Sequence, residues 1–124
     1  MTICYCGNHL AFEECCQPYI KGVKQPKTAE VLMRSRYSAY AIGNADYLVA
    51  TTHSSTRNLY KKEEILHWSQ SNHWVKLNVL NTTENTVTFK AHYIDNQRKE
   101  QIHHEKSNSV FENGYWFYVD GIYP

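Results

Sequence analysis

Residues 4–16 read CYCGNHLAFEECC, and how these four cysteines are understood decides how the rest of the chain folds. No other cysteine occurs in the 124 residues. Disulfide scaffolds distribute their cysteines, whereas metal knuckles concentrate them, and four thiols crowded at one end could not staple the remainder. The spacing is Cys-x-Cys, eight residues, then Cys-Cys, which suits a tetrahedral thiolate site for Zn2+ on Cys4, Cys6, Cys15 and Cys16. Four protein ligands close the coordination shell, so the expected ion is structural rather than catalytic. Gly7, directly after the first pair, allows the tight turn that brings two close thiolates to one ion. Leu10 and Phe12 are expected to pack beneath the site, and Glu13 and Glu14 to open a helical turn toward Cys15. Two alternatives stay open on spacing alone. His9 could stand in for one cysteine, or the four thiols could be reduced and buried as small hydrophobes.

Outward from the knuckle, residues 19–27 (YIKGVKQPK) read as a connector with Gly22, Pro26 and three lysines. A helical pattern then starts at Thr28, which can cap, with Glu30 in the first turn where a negative charge suits the helix dipole. Ala29, Leu32, Met33, Tyr37, Tyr40 and Ala41 form one apolar stripe, and Gly43 is a natural stop. Asn44 offers a second cap for a short helix ending near Val49 or Ala50. Residues 51–60 read as a loop, and 61–69 as a third helix with Ile65 and Trp68 on one side.

After Asn72 the period changes to two. Val75, Leu77 and Val79 alternate with polar residues, as do Val87, Phe89, Ala91 and Tyr93. A long run over 100–112 and a last strand over 115–120 follow, with turns at 81–85, 95–98 and Glu112-Asn113-Gly114. Helices followed by an antiparallel meander give an α+β fold with the helices on one sheet face.

Ten Tyr and three Trp supply a core, and their O–H and N–H groups favour one that borders a polar-lined cavity. The formal charge of +1 lacks the basic surplus of a duplex-binding domain. No stretch approaches the ~20 apolar residues of a membrane span, and no apolar signal core is present. Concentrated free thiols fit a reducing, cytoplasmic setting.

Residues 4–20, CYCGNHLAFEECCQPYI, resemble the SEC-C zinc motif, written C-P-C-G-S-G-x-x-x-x-x-C-C. The segments LMRSRYSAY (32–40), ADYLVATTH (45–53) and GYWFYVDG (114–121) resemble hallmarks of the YchJ family. The resemblance covers nearly the whole chain. It implies a SEC-C knuckle over residues 1–22 joined to a nuclear transport factor 2-like (cystatin-like) domain over 28–124, a curved antiparallel sheet wrapped on helices as a cone. It also carries Cys4, Cys6, Cys15 and Cys16 over as zinc ligands. Tyr5, Asn8 and His9 depart from the motif without touching ligation. Thr52 stands where the family usually has Trp, and Asn108-Ser109 where it has Arg-Phe. Relatives often end in a second knuckle; the sequence reaches Pro124 without one, so the expectation is that the first knuckle works alone.

Outside the knuckle, Arg36 lies at the edge of the helical stripe near Tyr40 and needs a partner. The bland expectation is a structural clamp to Asp120, Glu105 or Asp46; the sharper one is a cavity where Arg36 grips an anion. His53 reads either as a hydrogen-bonding loop residue or as a general base at a cavity mouth. In the His103-His104-Glu105 run only His103 and Glu105 share a face; a functional role is one reading, and a solvated or edge strand is the favoured expectation. Tyr37, Tyr40, Tyr47, Trp68, Tyr93, Trp116 and Tyr118 are candidates for core or cavity wall.

These readings support three functions. The first is a binding or adaptor protein that docks a protein partner through Tyr5, His9, Leu10 and Tyr19 of the knuckle. The second is a small-molecule binder or an enzyme of isomerase or hydrolase type, with Arg36, Tyr40, His53, Glu105 and Asp120 around the ligand. The third is weak nucleic-acid binding through Lys21, Lys24 and Lys27, which the charge balance disfavours.

Overall fold

The computed structural model describes residues 3–123; the outer limits expected for the two units, residues 1 and 124, lie outside the described residues. The chain opens with an antiparallel bridge between Ile3 and Ala11, a 3-10 turn at Phe12–Glu14, and helix α1 at Gln17–Ile20. Helix α2, Ala29–Ile42, follows. Thr28 caps it by accepting from the Val31 amide at 3.1 Å, and Gly43 closes it with φ of 76°. Asn44 caps helix α3, Ala45–Ala50, by accepting from the Tyr47 amide. The segment expected to be loop contains a further turn of helix, α4, Ser54–Arg57, because the His53 side chain supplies a cap to the Ser55 amide. Helix α5 runs Lys62–Ser71, starting one residue and ending two residues later than the expected 61–69.

Strands β1 (His73–Thr82), β2 (Thr86–Ile94), β3 (Glu100–Glu112) and β4 (Tyr115–Ile122) form one antiparallel sheet in sequence order. The hairpin residues Asn113 and Gly114 both take positive φ, the backbone that this dipeptide makes cheap. A register shift between Trp74 and Lys76 sends Val75 to solvent, so the inward set on β1 is Trp74, Leu77 and Val79. A shift at Asn108/Ser109 lets β4 place both Tyr118 and Gly121 against the inner face of β3. Strand β3 is interior, not an edge, and Glu105, Ser107 and Ser109 along it are buried. That corrects the solvated reading of the His103–Ser109 face.

Helix α2 is the hub. Ala29, Met33 and Tyr37 meet Leu77, Val87, Phe89 and Ala91 of the sheet, while Ala39 joins Leu48 of α3 and Ile65 of α5 in a second cluster. Its remaining flank carries the knuckle. The Arg34 guanidinium donates to the Cys6 carbonyl at 2.7 Å and pairs with Glu30 at 2.9 Å, tying the two units together. At the β4 edge, Thr52 bridges Tyr118: the His53 amide donates to the Tyr118 carbonyl at 2.7 Å and the Tyr118 amide to the Thr51 carbonyl at 2.8 Å. No helix among the described residues is long and apolar enough to cross a membrane.

Candidate metal centre and ligand cavity

The bridge at the chain start and the 3-10 turn after Ala11 bring Cys4, Cys6, Cys15 and Cys16 together. All four are buried, and their sulfurs lie within 4.8 Å of one another, a grouping that could hold a metal ion. Cys6 Sγ is 3.6 Å from Cys15 Sγ, and Cys15 Sγ is 4.0 Å from Cys16 Sγ, far beyond a disulfide's ~2.05 Å. Gly7 takes φ of 93°, the left-handed turn expected of it. Phe12 and Ile20 pack against the cluster. Leu10, expected beneath the site, is instead 51% exposed, because the Ile3–Ala11 bridge leaves it on the outer side. His9 is also exposed and outside the group of four.

The sulfurs cannot all ionise by themselves. Hydrogen bonds from Cys16, Cys6 and the Ser38 hydroxyl, 3.6 Å away on α2, pull the Cys4 thiol far below its ordinary range. Burial pushes Cys15 up to about 11, and its hydrogen bond to Cys4 drives Cys16 higher still. A divalent cation removes this conflict, since it stabilises every thiolate at once.

A second site lies between α2 and the concave sheet face, a cavity of about 270 Å³. Pockets for small ligands start near 300 Å³, so this one suits a small ligand. Tyr40, Trp68 and Trp74 form an aromatic wall with ring centres 4.9–5.6 Å apart, Trp68 edge-to-face with both of the others and Tyr40 tilted against Trp74. Tyr118, Tyr123 and Phe89 line the opposite side.

Two buried charged side chains face this aromatic space. Arg36 is 5% exposed and makes no ion pair among the described residues. The expected carboxylate clamp is absent because each candidate is engaged elsewhere: Asp46 pairs with Lys62, Asp120 accepts from Asn108, and Glu105 takes His103 and Tyr118. Instead, Arg36 Nη1 donates to the Leu48 carbonyl at 2.9 Å and to the Thr51 and Thr52 hydroxyls, and the guanidinium lies 4.5 Å over the Tyr118 ring. Arg36 Nε has no hydrogen-bond partner, nor does the buried Tyr37 hydroxyl.

Glu105, also 5% exposed, has both oxygens occupied. Oε1 accepts from His103 Nε2 at 2.7 Å, and Oε2 from the Tyr118 hydroxyl at 2.8 Å. Burial, and next the Glu105 charge, push the Tyr118 phenol well above its ordinary range, so it stays a donor. The carboxylate occupies the place where any side chain at 121 would project, which is why that position is glycine.

Of the residues singled out in the sequence, Arg36, Tyr40 and Glu105 meet in this cavity. His53 and Asp120 do not line it. The His53 ring caps α4 through Nδ1 and reaches Glu112 through Nε2 at 2.8 Å, and Asp120 is exposed on the outer sheet face. Trp68, Tyr37 and Tyr118 line the wall, whereas Tyr47, Tyr93 and Trp116 lie outside it. Sequence reasoning ranked a functional role for His103 below a solvated or edge strand. The usable signal was the alternating face His103, Glu105, Ser107, Ser109, where small hydroxyls opposite an aromatic-rich helix leave room.

Comparison with known proteins places this geometry among relatives. Residues 28–121 match a family model described as YchJ, middle NTF2-like domain. The chain is 36% identical, over 98% of its length, to a UPF0225 protein of Photorhabdus laumondii, of which it covers 81%. It superposes with a TM-score of 0.90 on the solution structure of a SEC-C motif containing protein from Rhodopseudomonas palustris, at 31% identity and 99% coverage of both chains. The crystal structure of a SEC-C motif containing protein from Psychrobacter arcticus gives a TM-score of 0.81 at 26% identity, over 97% of this chain and 81% of that one.

Proposed function

The chain belongs to the YchJ family, in which an NTF2-like domain carries a SEC-C motif, and on that footing we propose that it is a small-molecule-binding protein pinned at its tip by structural zinc. Cys4, Cys6, Cys15 and Cys16 are the ligands. A tetrahedron with Zn–S bonds of ~2.3 Å has sulfurs about 3.8 Å apart. The 3.6 and 4.0 Å separations here bracket that value. Zinc would supply a cross-link and offset half the charge of four thiolates; with the shell closed, no chemistry runs through it. Metal analysis of protein purified without chelator should give one zinc per chain, and Cys6→Ser should lower it. A full-length chain free of metal, with an unchanged melting temperature in excess EDTA, would refute this.

The observation behind the ligand-binding reading is Arg36, a buried cation in the wall of an aromatic cavity that has no ion-pair partner among the described residues. A desolvated guanidinium without a counter-charge is costly, and a carboxylate bound at the cavity wall meets that demand. The ligand is therefore a small, flat, largely apolar anion. Benzoate is the probe, with neutral benzamide as its isostere. Benzoate should raise the melting temperature and benzamide should not. Arg36→Lys keeps charge without the planar fork and should lose most of the effect, as should Arg36→Met. Equal stabilisation by both probes would overturn the reading.

A second reading, a docking role for the knuckle, is favoured by Ile3 (66% exposed), Leu10 and Tyr5 on its outer side. A Tyr5→Ser, Leu10→Ser double variant that keeps its zinc yet loses no partner from a quantitative cell-extract pull-down would dismiss it.

A further inference from the structure

Resting on the ligand-binding reading, we propose that His103 is a general base acting on a carbon acid held in the aromatic cavity, with Glu105 as its positioning residue. The geometry is specific. Glu105 Oε1 lies 2.7 Å from His103 Nε2, and a carboxylate oxygen only accepts, so Nε2 carries the ring proton. When the ring is neutral, this leaves its lone pair on Nδ1. Tyr118 holds the other carboxylate oxygen at 2.8 Å, which stops Glu105 from rotating. The imidazole is also held by its neighbours: Tyr123, Trp68 and Phe89 have ring centres 5.4, 5.8 and 6.1 Å from it. The His103 side chain keeps 26% of its surface, enough to meet a ligand at the cavity wall.

A purely structural pin explains this arrangement poorly. Seating a carboxylate on the buried face of an interior strand is costly, and no Lys or Arg lies within ion-pair distance of Glu105 among the described residues. The fold also gives up a side chain at Gly121 to make the room. A carboxylate that orients an imidazole and stabilises the imidazolium once it forms gives that expense a use. Arg36, stacked on the face of Tyr118, supplies positive charge beside the same cavity. An anionic group of the ligand rests there, and the charge developing beyond the broken C–H bond is stabilised by the same guanidinium.

The reaction class is proton abstraction next to a carbonyl or equivalent electron sink. The C–H bond breaks and the proton passes to His103 Nδ1. The electron pair moves into the sink as an enolate, or expels a β leaving group. The imidazolium then returns its proton to the product or to water. The substrate class is a small carboxylic acid bearing an acidic C–H.

The test uses zinc-loaded, full-length protein and 5-nitrobenzisoxazole, a flat carbon acid whose nitro group mimics a carboxylate. Removal of its ring C–H by a base breaks the N–O bond and releases a coloured cyanonitrophenolate, so proton transfer is read directly. We expect kcat/KM about 100-fold or more above the second-order rate of free imidazole, with inhibition by benzoate. His103→Phe, which keeps a ring in the aromatic wall, should remove the acceleration while benzoate still raises the melting temperature. His104→Ala, on the other face of β3, should leave the rate unchanged. Glu105→Gln should lower kcat with little change in KM, and 15N spectra of His103 should lose the single Nε2–H tautomer, which a structural role alone would not move. A rate no greater than free imidazole, or one that survives His103→Phe, overturns the assignment. Benzoate binding in the same samples decides the ligand-binding reading separately.

Discussion

Gly121→Ala puts a methyl group where the structure has a carboxylate. The new Cβ would meet Glu105 Cγ, Cδ and Oε2 together, well inside van der Waals contact, so Glu105 must leave. Its departure breaks the hydrogen bonds from His103 and Tyr118. Bonds to a charged group contribute about 1.5–3 kcal/mol each, so the pair amounts to about 3–6 kcal/mol. The Glu105 side chain is 7% exposed, and solvent cannot take over as partner without the sheet opening. Some relief comes from the backbone irregularity at Asn108/Ser109, which favours the lower end, about 3 kcal/mol. For a chain of this size that lowers the melting temperature by about 10 °C. Circular dichroism melts of four proteins (wild type, Gly121→Ala, Glu105→Ala and the double variant) give the decisive number. With the carboxylate already gone, Gly121→Ala should cost under about 1 kcal/mol, leaving an interaction of about 2 kcal/mol between the two sites. A Gly121→Ala cost that is small, or the same in both backgrounds, would show that the carboxylate does not sit against the glycine.

Other perturbations separate the parts. Ser38→Ala removes the hydroxyl 3.6 Å from Cys4 Sγ and should weaken zinc retention about 10-fold in competition with a chromophoric chelator. Arg34→Met cuts the bonds to the Cys6 carbonyl and Glu30; hydrogen exchange should accelerate around residues 4–8 while the sheet amides keep their protection. His53→Ala should cost about 1 kcal/mol through loss of the α4 cap, yet leave benzoate stabilisation intact, because His53 lies outside the cavity. Thr28→Ala should cost a similar ~1 kcal/mol with no effect on zinc or ligand.

What was legible in the sequence is what local chemistry dictates. Thr28, Gly43 and Asn44 announce helix ends through their own side chains or backbone freedom, and the structure uses all three that way. The thiol cluster is equally local, since its members lie within a dozen or so residues. The Asn113-Gly114 hairpin needs no partner to be recognised. The cavity was half visible. Arg36 could be placed near the core, but its actual partners arise where α3 ends against α2, a packing event that charge counting directs wrongly toward carboxylates. The place of His103 depended on strand order. A run of His, Glu and Ser looks like a solvated edge, and only the meander, which sets β3 between β2 and β4, turns its alternate residues into a cavity wall. Likewise the bulge that sets Gly121 opposite Ser107 leaves no mark in the sequence of β4 alone.

The short parallel bridge from Thr52 to Tyr118 has a consequence for how copies of this chain behave at high concentration. Strand β4 ends the sheet, and the chain's own passing segment already occupies backbone groups that a second molecule would need for β-addition. At the far margin β1 is bent by two register shifts, and a kinked border is a poor template for a flat neighbour. Both flanks of the sheet therefore discourage fibre-like growth, and self-association would have to proceed through side-chain surfaces instead.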